Sequence, residues 1–310
     1  MPNTLDIKRR QRSVKNTKQV TLAMQMVAAS KMRKSQTVAL RSRPFAQNSM
    51  SLLSSIKTRS PGLRNKFLNN KSHTKKILAM VVTSDKGLCG GLNSSVIREC
   101  KSFFAEYQKG GYTIELILVG SKSRALFEKT GLKIHNVFKG VGDYVDMSDI
   151  KPISRAIQGA YINSRADKVI AIYTEFISTL KQKVRRRQIL PVTESIFSDL
   201  VDDIKPSVGK FTEITDKGTA KKSAPGDYIF EPSAKQILKT LVPFLIDIYV
   251  YHIILESNAS EHSARMVAMK NASDSADKIL KELTLSYNKA RQANITKELA
   301  EITAGSEALR

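Results

Sequence analysis

The stretch Thr83-Ser-Asp-Lys-Gly-Leu-Cys-Gly-Gly-Leu-Asn93 holds three glycines, a thiol, a carboxylate and an ammonium group within eleven residues, the densest supply of reactive groups in the chain. It falls between a run that reads as a buried strand, Lys76 to Thr83, and a helix expected from about Asn93 to Gln108. A glycine-rich turn in that place cradles phosphate on a helix N-terminus. The spacing argues otherwise. No Gly-Lys-Ser/Thr ending follows, and Gly87, Gly90 and Gly91 miss the dinucleotide fingerprint, so the expectation is a tight turn capped by Asn93. Cys89 would need a base to serve as a nucleophile, yet His73, His135, His252 and His262 are scattered, so the thiol reads as buried or idle. His252 and His262 lie about 15 Å apart along a helix, with only Glu256 one turn from His252. They are expected to fix the register of a helix seam rather than to bind metal. No cofactor is expected.

That seam is the element around which the rest is arranged. Leu238, Leu241, Leu245, Ile248, His252, Leu255, Ala259, His262, Met266, Met269, Ser273, Ala276, Leu280, Leu283, Tyr287 and Ala290 alternate steps of three and four. This is the seam of a left-handed coiled coil. A helix from Ser233 to Leu309 would be about 115 Å long, too long to be wrapped by its own globule. Pro232 suits its first turn, while Pro243 predicts a kink or a restart. At the other end, Asn3 to about Lys57 has no glycine and only Pro44 as a proline. Val20, Ala23, Met24, Val27 and Ala28 form a helical stripe, and Val14, Thr21 and Ala28 share heptad spacing. This helix, about 80 Å long, would fall short of its antiparallel partner by roughly 30 Å, leaving the tip of the last helix single.

Between the helices the pattern changes to alternating short elements. Strands are expected at Thr113 to Val119, Lys133 to Val137, Lys168 to Tyr173, Gln182 to Leu190 and Asp227 to Phe230, with helices at Ser121 to Thr130 and Ile150 to Ser164. Alternation of this kind predicts a parallel sheet covered by helices. The basic run Lys181, Lys183, Arg185, Arg186, Arg187 predicts an exposed sheet edge, and residues 203–226 a loop. The fold class is therefore α/β: long N- and C-terminal helices in an antiparallel coiled coil, with an inserted Rossmann-like parallel-sheet domain. The expected parts are an N-terminal shaft helix (1–58), an α/β foot domain (75–231) and a C-terminal shaft helix (232–310).

Charge and composition narrow the function classes. The chain has 310 residues, 41% of them hydrophobic, and a formal net charge of +23. Residues 1–76 hold 18 Lys and Arg against the single acid Asp6, so +17 sits in that quarter. Such a patch is the footprint of a nucleic-acid binder, which is the rival reading. Aromatic residues are absent from Met1 to Pro44, however, so no stacking platform accompanies the charge. The other reading is a helix steered into an acidic protein cavity. Two cysteines, Cys89 and Cys100, are too few for a disulfide framework. No run of eighteen apolar residues is present, and a helical pattern that begins almost at Met1 predicts no signal or transit segment.

Three stretches resemble the family of F-type ATP synthase gamma subunits. They are Ile7-Lys-Arg-Arg-Gln-Arg-Ser-Val-Lys-Asn-Thr-Lys-Gln-Val-Thr-Leu-Ala-Met-Gln-Met-Val-Ala-Ala-Ser-Lys-Met-Arg-Lys34, then Ser84-Asp-Lys-Gly-Leu-Cys-Gly-Gly-Leu-Asn93, and Ala264-Arg-Met-Val-Ala-Met-Lys270 continuing through Tyr287 to Gly305. Ser306 departs from the alanine usual after the glycine, and the cysteine-bearing insertion of the chloroplast form is absent.

The resemblance implies a non-catalytic rotor shaft, one copy per complex, coupling proton passage through a c-subunit ring to ATP synthesis or hydrolysis on beta subunits. It places Lys8, Arg9, Arg10, Arg12, Met24, Lys31, Arg33, Lys34, Arg265, Gln292, Thr296 and Glu298 against the alpha and beta subunits. Asp227, Tyr228 and Glu231 would approach the c ring and epsilon. No nucleic acid and no small-molecule substrate is implied. With no transit segment, the expected location is the cytoplasmic face of a bacterial inner membrane.

Overall fold

A computed structural model describes residues 4–59, 65–68, 75–141, 145–192 and 231–308. In chain order the elements are α1 (Thr4–Arg59), β1 (Lys76–Val82), α2 (Leu92–Lys109), β2 (Thr113–Val119), α3 (Arg124–Phe127), β3 (Lys133–Phe138), α4 (Met147–Ile162), β4 (Lys168–Phe176), β5 (Gln182–Leu190) and α5 (Ala234–Ala308). The chain divides into two compact units, Met1–Ala28 with Arg265–Arg310, and Ala29–Ala264. The strand expected at Asp227 to Phe230 and the loop at 203–226 lie outside the described residues.

In the larger unit the sheet order is β3-β2-β1-β4-β5. The first four strands are parallel, as the alternating pattern predicts, but β5 runs antiparallel to β4. A parallel return needs a crossover of a dozen or more residues. Only residues 177–181 link the two strands, and they close a turn in which Lys181 N donates to Ser178 O. The sheet is thus mixed rather than purely parallel.

Period-two alternation sorts β1 between two cores. Leu78, Met80 and Val82 pack with Ile150, Ile153 and Ile157 of α4 and with Leu245, Tyr249 and Ile253 of α5. Ile77, Ala79 and Val81 face the other way, onto Val96, Cys100 and Phe103 of α2. Asp146 and Asp149 close a capping box at the start of α4, three residues before the expected boundary. Helix α3 is one turn rather than the ten residues expected. Leu126 N and Phe127 N both bond Ser123 O, and Lys129 N and Thr130 N bond carbonyls three residues back, a tight winding that does not propagate.

Strand β5 is an edge, as expected, yet its arginines are half-buried rather than solvated. Arg186 donates to Glu99 at 2.6 Å and Glu106 at 2.7 Å and lies 5.3 Å over the Phe103 ring. Arg185 donates to Glu175 at 2.7 Å. The basic run thereby fastens the edge strand to α2 and β4.

Helix α5 is continuous through Pro243, so of the two expectations there, a kink or a restart, the restart does not occur. Pro232 precedes the helix instead of lying in its first turn, and Ser233 takes the capping place, its Oγ accepting from Gln236 N at 3.3 Å. Along α5 every seam residue is buried or half-buried. From Lys270 to Ala290 the seam positions account for all but two of the residues that are not exposed, Ala272 and Asp277.

Candidate functional site

The glycine turn after β1 is braced for shape. Asn93 Oδ1 accepts from Ser84 N at 3.0 Å, and Asn93 Nδ2 donates to Ser84 Oγ at 2.7 Å and to Cys89 Sγ at 3.3 Å. Asn93 therefore ties the turn to the strand end and is not the helix cap; α2 begins one residue earlier, after Gly91. Asp85 accepts from Ser121 N and Oγ and from Gly140 N, which joins the ends of β1, β2 and β3. Ser84 and Cys89 are buried. The thiol and the carboxylate that made this stretch look reactive are both engaged, Cys89 with Asn93 inside the turn and Asp85 with the two neighbouring loops.

His252 and His262 are both buried in α5, as their seam positions require. His252 Nε2 lies 3.0 Å from Glu256 Oε1, one turn away on the same helix.

The remaining candidate is the surface of the smaller unit. Its register is set by two side-chain contacts between α1 and α5: Gln11 Nε2 donates to Thr284 Oγ1, and Lys18 Nζ donates to Asp277 Oδ1. The step is seven residues forward in one helix and seven back in the other, one heptad in an antiparallel pair. The buried α1 positions keep that spacing: Ile7, Thr21 and Ala28 are buried and Val14 half-buried. Opposite them Met269, Ser273 and Ala276 are buried, with Leu280, Leu283, Tyr287 and Ala290 half-buried. By the same register Thr4 stands opposite Arg291, so Gln292 to Ala308 has no counterpart on α1. That tip is about 26 Å long, and from Asn294 to Ser306 every residue is exposed.

The apolar stripe expected to be buried faces outward. Val20 and Val27 are 57% and 54% exposed, Ala23 is exposed, Met24 is half-buried, and only Ala28 is enclosed. Heptad spacing, with threonine and alanine in the seam, identifies the inner face; hydrophobicity alone does not. Leu5, Leu22, Met26, Ile279, Leu285, Ile295, Leu299 and Ile302 are exposed as well, and sequence reasoning missed them. Their signal is position: Ile279 and Leu285 lie off the three-four series, Ile295, Leu299 and Ile302 lie past its end, and Leu5, Leu22 and Met26 lie off the heptad line of Ile7, Val14, Thr21 and Ala28. These side chains leave apolar surface open along the helix pair.

Charged positions flank it. Lys8, Arg9, Arg10 and Arg12 are exposed, with Arg9 3.8 Å from Asp6. Gln292, Thr296 and Glu298 are exposed on the tip, and the Thr296 hydroxyl donates to Gln292 O at 2.9 Å. Arg265 is 8% exposed and belongs to the interior. In the larger unit Lys31 is half-buried and Arg33 and Lys34 are exposed. Glu231 is exposed; Asp227 and Tyr228 lie outside the described residues.

A family model described as ATP synthase matches residues 3–309. The chain is 37% identical over 309 residues to the ATP synthase gamma chain of Nitrosomonas europaea, covering 100% of both chains. It is 36% identical over 310 residues to that of Roseiflexus castenholzii, covering 100% of this chain and 99% of the relative. Among solved structures it is similar to a chain of the Tetrahymena thermophila mitochondrial ATP synthase central stalk and c-ring, with a TM-score of 0.56 and 26% identity over 82% of this chain and 99% of that one. A chain of the Euglena gracilis mitochondrial ATP synthase shares the fold, with a TM-score of 0.62 at 18% identity over 99% and 94%.

Proposed function

The chain belongs to the ATP synthase gamma-chain family, and we propose that it serves as the shaft of the rotor without carrying out bond chemistry of its own. Its likenesses favour the central stalk and give the nucleic-acid reading no support. The observation that carries the mechanical reading is the antiparallel pair with an inner heptad seam, small at Thr21, Ala28, Ser273 and Ala276, and an outer face of exposed apolar side chains. The small positions let the two helices approach closely there, and the outer face needs partners.

In this proposal the alpha and beta subunits surround the pair. Exposed Lys8, Arg9, Arg10 and Arg12, with Arg33 and Lys34, meet acidic groups of the beta subunits; Met24, Lys31, Gln292, Thr296 and Glu298 lie among the surrounding loops. Arg265, being buried, acts by holding the seam in shape beneath that contact. The foot domain, with Glu231 and the segment containing Asp227 and Tyr228, meets epsilon and the c ring. As the ring turns, the asymmetric pair presents a different face to each beta subunit and shifts its conformational populations by differential contact. The complex sits on the cytoplasmic face of a bacterial inner membrane. The three functional parts are 1–58, 75–231 and 232–310.

A native mass measurement of the complex that copurifies with this chain tests the proposal. One copy beside a head of six larger subunits is expected. Two or more copies would rule out a central shaft.

A further inference from the structure

Helix α5 is enclosed on every side over one short stretch. All twelve residues from His252 to Ser263 are buried, more than three full turns, so no face of the helix reaches solvent there. Elsewhere an all-round buried helix is apolar; this one is His, Ile, Ile, Leu, Glu, Ser, Asn, Ala, Ser, Glu, His, Ser. Buried polar groups are retained where they are bonded, and here three of the side chains, Asn258, Ser260 and Ser263, bond the main chain of the α/β domain. Asn258 Nδ2 donates to Val141 O beyond β3 at 3.2 Å. Ser260 Oγ donates to Thr174 O in β4 at 3.0 Å. Ser263 Oγ donates to Thr179 O in the β4-β5 turn at 2.7 Å and accepts from Gln182 Nε2 of β5 at 3.3 Å.

We infer that this polar collar is the torque coupling of the chain: Asn258, Ser260 and Ser263 key α5 to the sheet, so that turning the domain turns the helix. The inference rests on the shaft reading above. Apolar packing is non-directional and tolerates a helix rolling by part of a side chain against its neighbours. Hydrogen bonds to backbone carbonyls weaken steeply with misalignment, and three of them, on separate loops and strands, fix both the azimuth and the height of the helix. Short serine and asparagine side chains leave little slack between helix and sheet. Beyond the collar the same helix continues unbroken to Ala308. Asn258, Ser260 and Ser263 are positioning residues in this scheme; they act through the helix and touch no nucleotide.

The test uses the complete ATP synthase with its head immobilised and a bead attached to the α/β domain through Lys109→Cys, an exposed site on α2. Angular fluctuations of the bead, with nucleotide stalling the head, report torsional stiffness. In the triple variant Asn258→Ala, Ser260→Ala, Ser263→Ala we expect stiffness to fall at least two-fold and protons pumped per ATP to drop. Ser260→Thr, which keeps the hydroxyl, should restore much of the loss when it replaces Ser260→Ala. If the triple variant does not assemble, Ser260→Ala and Ser263→Ala singly should each lower stiffness. A structural role alone would reduce yield and melting temperature while leaving stiffness and pumping per ATP unchanged, and that result would overturn the inference. Absence of rotation in the unmodified complex would instead remove the shaft reading itself.

Discussion

Lys18 Nζ donates to Asp277 Oδ1 across the helix pair, one heptad from the bond between Gln11 and Thr284. Both side chains of the ion pair are partly exposed, so its own contribution to stability is about 1 kcal/mol or less. Its value lies in fixing which residues face each other. The double variant Gln11→Cys, Thr284→Cys is expected to close an intramolecular disulfide under mild oxidation, seen as a faster-migrating band on a non-reducing gel. The pair Gln11→Cys, Lys270→Cys, two heptads or about four turns out of register, should not close. Equal oxidation of both pairs would contradict the antiparallel register.

Leucines in the thin part of the seam should matter less than leucines in a globular core. Leu280 and Leu283 are half-buried, so truncating either to alanine is expected to cost about 1 to 2 kcal/mol, below the ~2 to 5 of a fully packed site. Met269→Ala, at a position 5% exposed, should cost more than either. Urea unfolding of the three variants would show the order, and a larger loss at Leu283 than at Met269 would refute it.

Gly120 is held at φ +92°, and a Cβ there would lie 1.9 Å from Thr83 O. That carbonyl belongs to the backbone at the end of β1 and cannot swing aside. Gly120→Ala is expected to destabilise by roughly 3 kcal/mol or more, combining strain with overlap. Gly131→Ala, at φ +70° with nothing within 4 Å, should cost about 1 kcal/mol. Similar urea midpoints for the two variants would disprove the close contact.

The Cys100 thiol is fully enclosed, and burial pushes its pKa up to about 12, with Glu99 adding to the rise and Arg186 opposing it. Between the ordinary value of 9.0 and 12 the folded chain holds a proton that the unfolded chain releases. The stabilisation is thus complete below pH 9 and is lost as pH rises towards 12. Iodoacetamide at pH 8.5 should leave Cys100 unlabelled until denaturant is added. Cys100→Ala should flatten the alkaline loss of stability. Rapid labelling of the native chain at that pH would show the thiol to be accessible.

Strand and helix identities were legible in the sequence because each carried a clear period. β2 and β5 fall where alternation and charge put them, and the three-four series from Leu238 to Ala290 marks the buried line of α5. Val20 and Val27 face outward for a physical reason. Apolar residues at helical spacing predict a covered face, whereas on a helix pair that works against partners they also belong outside, and the inner line falls to Thr21 and Ala28. Asn93 followed the composition of a cap, but its reach to Ser84 depends on how the chain folds back after β1, which local sequence does not encode. The collar was hidden for the same reason: Ser260 and Ser263 look like surface residues until strand β4 and its turn are brought beside them.

The bond between Gln11 and Thr284 spans 273 positions in the chain, and that separation has a consequence during synthesis. At about 5 to 20 residues per second, the first helix leaves the ribosome roughly 15 to 55 seconds before its mate exists. Throughout that wait Val20, Met26 and Val27 are open to water among the eighteen lysines and arginines of residues 1–76. Mutual repulsion of that charge keeps nascent copies apart. Neutralising the lysines and arginines around those residues is therefore expected to make the newborn polypeptide clump before its last helix arrives.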